Sequence, residues 1–294
     1  MQHDHEPAMP AAGAAPVLEA RGLQKRFGAV VAAADIDVAV PAGARLSLIG
    51  ANGAGKTTFV NMVTGYLKPD AGRIVLAGRD ITALGPRRIT RLGVCRSFQI
   101  PQLCEPMSPL DNLLVAVGAG RGGVAAPGGL QGLARFFQPA RSGPAVAAAE
   151  EMLARFDLGA YADQPVNELP GGVRKLIDIA MALVRRPRVL LLDEPTSGVS
   201  TDEKFPLMDR VMAALDREEV AVLFVEHDMD IVTRYSDRVL AFYAGEIIAD
   251  DRPDEVLSDP AVQKYVTGTA AAAPAPAAAV AGEPDGEGAD AESR

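Results

Sequence analysis

Three short apolar runs stand out because each stops abruptly at polar residues. ARLSLIG (Ala44 to Gly50), RVLLLDEP (Arg188 to Pro195) and VAVLFVEHD (Val220 to Asp228) are rich in leucine or β-branched residues and lack alternation. That is the pattern of strands buried on both faces of a parallel sheet. Longer helical patterns separate them, so a largely parallel sheet with crossover helices is expected. Upstream, VLEARGLQKRFGAVVAAADIDVAVPAG alternates and carries turn residues, which predicts antiparallel strands with GRIVLAGRDIT as their partner. A helix is expected over TFVNMVTGYL. Another is expected over AVAAAEEMLARFDLG, where Val146, Ala149, Leu153 and Phe156 recur at helical spacing and mark one buried face. PDEVLSDPAVQKYVTG reads as a short C-terminal helix. Between Gly118 and Pro144 lies a glycine-rich, arginine-bearing insert whose only aromatics are Phe136 and Phe137; irregular inserts of this length are usually flexible or functional.

Composition bounds this picture. The chain has 294 residues and is 48% hydrophobic, enough for a sizeable core. Residues 1–16 and 269–294 are dominated by alanine, proline, glycine and acids, which cannot bury enough side chain to offset ordering entropy, so both read as disordered tails. His3 and His5, in the first tail, are read as bystanders. Val17 to Gly268 is left as one folded unit. A formal charge of -9 argues against a nucleic-acid partner, which would select a basic face. Cys95 and Cys104 fit neither a disulfide framework nor a zinc site, and both are expected to act as small buried hydrophobes. No apolar run is long enough to span a bilayer and MQHDHEPAMP is not a signal peptide. A cytosolic protein is expected, reaching a membrane only through a partner.

The strand ends carry the chemistry. GANGAGKTT (Gly50 to Thr58) matches G-x-x-x-x-G-K-[ST] between a strand and a helix, where glycines allow a tight loop whose N–H groups face a phosphate. Lys56 is placed to bridge β- and γ-phosphates and Thr57 to ligate Mg²⁺. Asp193, ending VLLLD, is expected to hold the metal, and Glu194 to orient or deprotonate the attacking water. One strand later His227 can reach the γ-phosphate. Gln99, in CRSFQIPQ, is a polar residue closing another apolar stretch. NELPGGVRKL leaves a choice between an ordinary turn before a helix and an anion-contacting helix start.

In order, GANGAGKTT, SFQ, LPGG, VLLLDEPTSG and VEHD resemble the ATP-binding cassette (ABC) ATPases over Val17 to Gly268. The resemblance implies an α/β fold: a RecA-like P-loop NTPase core with an antiparallel β-subdomain and an α-helical subdomain inserted at about residues 100–180. It implies ATP held by Gly50, Asn52, Gly53, Ala54, Gly55, Lys56, Thr57 and Thr58, with Phe27 stacked on adenine; a strand aromatic in the core is the other reading of Phe27. It implies Mg²⁺ at Thr57, Gln99 and Asp193, and Glu194, His227 and Gln99 as the catalytic set. Family ATPases dimerise head to tail, so Leu169, Pro170, Gly171 and Gly172 are the signature that contacts the partner's ATP. This chain departs from the family pattern at Pro170 for serine, Val173 for glutamine and Ser200 for aspartate.

The segment GVCRSFQIPQLCEPMSPLDNLLVAV, the long insert and VEHDMDIV look like the ATPases of branched-chain (hydrophobic) amino-acid importers. The implied partners are a second ABC ATPase subunit, two membrane permease subunits and a periplasmic solute-binding protein, with the chain peripheral on the inner face of the cell membrane. Ile100 to Leu114 is read as the permease docking surface, or as packing of the helical subdomain. Because Pro170 supplies neither hydroxyl nor N–H, weakened clamping points to a heterodimer with an intact partner signature. The alternatives are uptake of urea or short amides, a weakly hydrolytic regulatory half of a heterodimer, and, least, a soluble DNA- or ribosome-acting ABC ATPase.

Overall fold

The computed structural model describes residues 15–97, 101–120, 143–216 and 219–268. Gln99, His3, His5, Phe136, Phe137 and most of both tails lie outside the described residues.

Two sheets form. Strands β1 (Leu18–Phe27), β2 (Val30–Val40), β4 (Ala71–Leu76) and β5 (Arg79–Asp80) make an antiparallel sheet in the order β2-β1-β4-β5. The expected pairing of GRIVL with the first hairpin is therefore observed, and in β2 Ile36, Val38 and Val40 turn inward while Asp37 turns out. The second sheet joins β3 (Arg45–Ile49), β6 (Val94–Ser97), β7 (Val189–Asp193), β8 (Ala221–Val225), β9 (Arg238–Tyr243) and β10 (Glu246–Asp251) in the order β10-β9-β3-β8-β7-β6. All its pairs are parallel except β9 with β10.

Period-two alternation explains how this sheet divides the core. Val189 and Leu191 of β7, with Ala221, Leu223 and Val225 of β8, pack toward helix α1 (Lys56–Val63) and the antiparallel sheet. Leu190 and Leu192, with Val222 and Phe224, pack the other way. There they meet α3 (Pro109–Gly120), α4 (Pro144–Arg155), α5 (Gly171–Leu183) and α6 (Thr201–Leu215). Val146, Ala149, Leu153 and Phe156 are all buried in α4 and its C-terminal cap, as their spacing predicts. Parity continued one step places Asp193 on the α1 side. α2 (Pro86–Leu92) leads into β6, and α7 (Met229–Tyr235) joins β8 to β9.

Two expectations change. The single C-terminal helix is broken: α8 covers Pro253–Ser258, a separate turn begins at Pro260, and a wide turn spans Gln263–Thr267. Pro260 cannot donate an N–H, and the residue before a proline is pushed out of the helical region. Asp259 accordingly sits at φ -62°, ψ 126°, and its carboxylate accepts from the N–H groups of Ala261 and Val262 at 2.7 and 3.1 Å. Of the two cysteines, Cys95 is buried but Cys104 is exposed.

Candidate nucleotide site

The loop Gly50–Gly55 joins β3 to α1, and its shape is imposed from below. At Gly50 (φ 147°) a Cβ would lie 2.4 Å from the carbonyl oxygen of Phe242, and at Gly55 (φ 114°) 2.8 Å from that of Ala32. No other residue type fits that approach. The β9–β10 turn supports the loop, with the Gly245 N–H donating to the Ala54 carbonyl at 2.9 Å. Ala54, Gly55 and Lys56 are buried, whereas Asn52, Gly53 and Thr57 are exposed and Thr58 half-buried. The Lys56 ammonium donates to the carbonyls of Gly50 and, at 3.1 Å, Ala51. Burial lowers its pKa below the ordinary lysine value, and the carboxylates of Glu194 and Asp193 oppose that shift.

A cleft of about 420 Å³ opens over this loop, and Asp193, Glu194 and His227 line it together with Asn52 through Thr58. They converge because β3, β8 and β7 are neighbours and parallel, so all three C-terminal ends open on one side of the sheet. This crevice beyond the carboxyl ends is where open α/β sheets bind ligands. The Glu194 Oε1 and His227 Nε2 atoms lie 3.4 Å apart. Glu194 has a left-handed backbone, φ 48°, a strained state for a non-glycine residue.

Several neighbours of these groups escaped the sequence reading. Arg96, on β6, bonds both the Asp193 carboxylate and, at 2.8 Å, the Asn61 side-chain oxygen of α1. Gln102 reaches the cleft wall, its N–H donating to Asp178 at 3.1 Å. Buried Glu226 accepts from the Thr196 hydroxyl and N–H at 2.8 and 3.2 Å, and from the His227 N–H at 3.1 Å. Lys175, on α5, donates to the Glu194 carbonyl at 2.8 Å. The only signal for Arg96 was its place in the SFQ segment. Glu226 was marked only by its place in the VEHD segment, and nothing local marks Lys175, an ordinary charged residue until the fold buries it.

Phe27 ends β1 and is exposed, with the Lys25 ammonium 5.7 Å from its ring centroid, so its reading as a core aromatic is replaced by a surface one. The signature candidates separate. Leu169 is buried in the helical core, while Pro170 and Gly171 are exposed and Gly172 half-buried at the start of α5. Pro170 caps α5 without a side-chain hydrogen bond. The Ile100–Leu114 segment divides too: Leu110 and Leu113 are core residues, while Met107 is exposed. Beside it, a groove of about 290 Å³ is lined by Tyr66, Gln102, Val115, Met181 and Arg185 among others.

Residues 33–197 match the family model described as ABC transporter. The chain belongs to the ABC transporter family. Among curated relatives, it is 33% identical over 259 residues to a probable branched-chain amino acid transport ATP-binding protein, LivG, of Archaeoglobus fulgidus, covering 86% of this chain and 95% of that one. It is 34% identical over 258 residues to the high-affinity branched-chain amino acid transport ATP-binding protein BraF of Pseudomonas aeruginosa, covering 87% and 99%. Among solved structures, MJ1267, an ATP-binding cassette of an ABC transporter, superposes with a TM-score of 0.73 at 32% identity over 85% of this chain and 98% of that one. The same cassette in its ADP conformation gives 0.71 over 84% and 97%. This ABC protein is thus a nucleotide-binding ATPase cassette with a P-loop core, of the kind whose hydrolysis is coupled to transport.

Proposed function

We propose that this cassette powers uptake of branched-chain or other hydrophobic amino acids, docked on the inner face of a membrane against two permease subunits fed by a solute-binding protein. The observation that carries it is the convergence of the Gly50–Thr58 loop, Asp193, Glu194 and His227 on one cleft, in a chain whose relatives are named for that transport. Among the described residues no helix is long and apolar enough to cross a membrane, and in this reading the partners form the permeation path. The groove lined by Tyr66, Val115 and Met181 is the docking site for a permease helix.

The site residues divide the work as follows. Loop N–H groups, the α1 N-terminus and Lys56 hold the β- and γ-phosphates, and Phe27 stacks on the base. Glu194 takes a proton from the attacking water, and His227 holds the γ-phosphate. Thr57 and Asp193 offer hard oxygen donors of the type Mg²⁺ selects, with Gln99 completing the set. Among the described residues no cluster of three or more His, Cys, Asp or Glu side chains could hold a metal alone. That fits Mg²⁺, which takes one or two carboxylates together with substrate phosphates. When bound, Mg²⁺ neutralises charge on the β- and γ-oxygens.

Pro170, exposed and without a capping side chain, supports a heterodimer in which a different subunit supplies the intact signature for this chain's ATP. The test is co-purification with the permeases followed by uptake across leucine, isoleucine, valine, urea and acetamide. Saturable, ATP-dependent uptake of the aliphatic amino acids that Glu194→Gln abolishes is expected. Uptake of urea or acetamide instead, with the same Glu194 dependence, would reassign the substrate and leave the ATPase standing.

A further inference from the structure

The left-handed backbone of Glu194 is held by hydrogen bonds with groups outside β7. Its N–H donates to the Val225 carbonyl of β8 at 2.9 Å. Its carbonyl accepts from the Ser197 N–H at 3.1 Å, closing a turn, and from the Lys175 ammonium at 2.8 Å. Lys175 is 9% exposed and lies one helical turn beyond Gly171, at the start of α5. Burial lowers its pKa, while the carboxylates of Glu226, Glu194, Asp178 and Asp193 oppose the shift and favour the charged donor. The loop it grips is clamped again from just beyond β8, where Glu226 bonds both Thr196 and the backbone of His227.

We infer that Lys175 is a positioning residue: it ties the Glu194 backbone to the α5 helix, so that the water-activating carboxylate is aligned only when α5 is correctly seated. This rests on the reading of Glu194 as the water-activating group. It adds that α5, whose exposed start is proposed to contact the partner's nucleotide, also sets the geometry of this chain's own hydrolysis. A displacement of α5 is passed by the Lys175 hydrogen bond to a backbone already in a strained region. Lys175 touches no substrate in this scheme.

The experiment uses the complex assembled with its permeases and second ATPase subunit, with Lys175→Met, Lys175→Gln and Lys175→Arg compared with wild type and Glu194→Gln. Melting temperatures establish that each variant is folded; Lys175→Gln is read should Lys175→Met prove unstable. The folded methionine or glutamine variant is expected to lose roughly 10- to 100-fold in kcat with KM for ATP within about twofold of wild type, because misplacement of a catalytic group acts on the chemical step. Lys175→Arg, which still reaches the carbonyl, is expected to recover most of that loss. A folded Lys175→Met or Lys175→Gln complex with wild-type kcat overturns the inference. So does a raised KM at unchanged kcat, or a kcat loss that arginine does not relieve. Wild type and Glu194→Gln hydrolysing at equal rates would sink the reading of Glu194 itself, which is a different failure.

Discussion

Glu194 and Lys56 show how single residues are tuned by what surrounds them. Glu194→Gln removes the proposed proton acceptor but keeps the shape, so hydrolysis by the assembled complex is expected to fall by about 10²- to 10⁴-fold with nucleotide affinity retained, as measured by single-turnover kinetics and equilibrium binding. Lys56 loses its proton below the ordinary lysine value of 10.5 because burial disfavours its charge. The charged form is the one that attracts phosphate. ATP affinity is therefore expected to fall as pH rises through that lowered value, before the ordinary lysine value is reached. A fluorescent-nucleotide titration across alkaline pH checks this, and Lys56→Ala is expected to bind weakly with no such fall. At Gly50 the Phe242 carbonyl leaves no room for a Cβ, so Gly50→Ala is expected to lose nucleotide binding while the chain still folds, as judged by circular dichroism.

Among the elements, those with a strong period were legible and those decided by one residue were not. β3, β7 and β8 fall inside their apolar runs because strands buried on both faces leave little freedom in sequence. The α4 face was readable for the same reason, and Phe156, fully buried among α4, α5 and α6, is expected to cost roughly 3–5 kcal/mol when changed to alanine, measured by urea unfolding. The C-terminal segment does not form the single helix expected, because Pro260 lacks an N–H and Asp259 caps the next turn, so α8 ends there. At the head of α5, Pro170 leaves the helix N-terminus without a side-chain cap. In the proposed heterodimer, Pro170→Ser is expected to change ATP turnover most when the partner's own water-activating glutamate is intact. An unchanged rate in that background, measured on the reconstituted complex, would count against the clamping role of this segment.

At the scale of the whole molecule, the local chemistry of the chain was written in its motifs: a glycine loop shaped for phosphate, acids at a strand end, a histidine one strand later. Short-range rules suffice for these, since a strand followed by a tight turn and a helix is specified within about 20 residues. Which strands would be neighbours was not local. The order β10-β9-β3-β8-β7-β6 brings β6 beside β7, and only that adjacency lets Arg96 join Asp193 to Asn61 of α1. It likewise sets α5 against the end of β7, so that Lys175 meets a carbonyl 19 residues away in the chain, and folds Glu226 inward to meet Thr196. Those partners are charged groups whose burial is affordable only when each finds its counterpart. The sequence by itself therefore determined the family and the fold class, and named the residues proposed here to do the chemistry. The tertiary structure alone decided which side chains hold them in place, because that depends on packing between segments far apart in the chain.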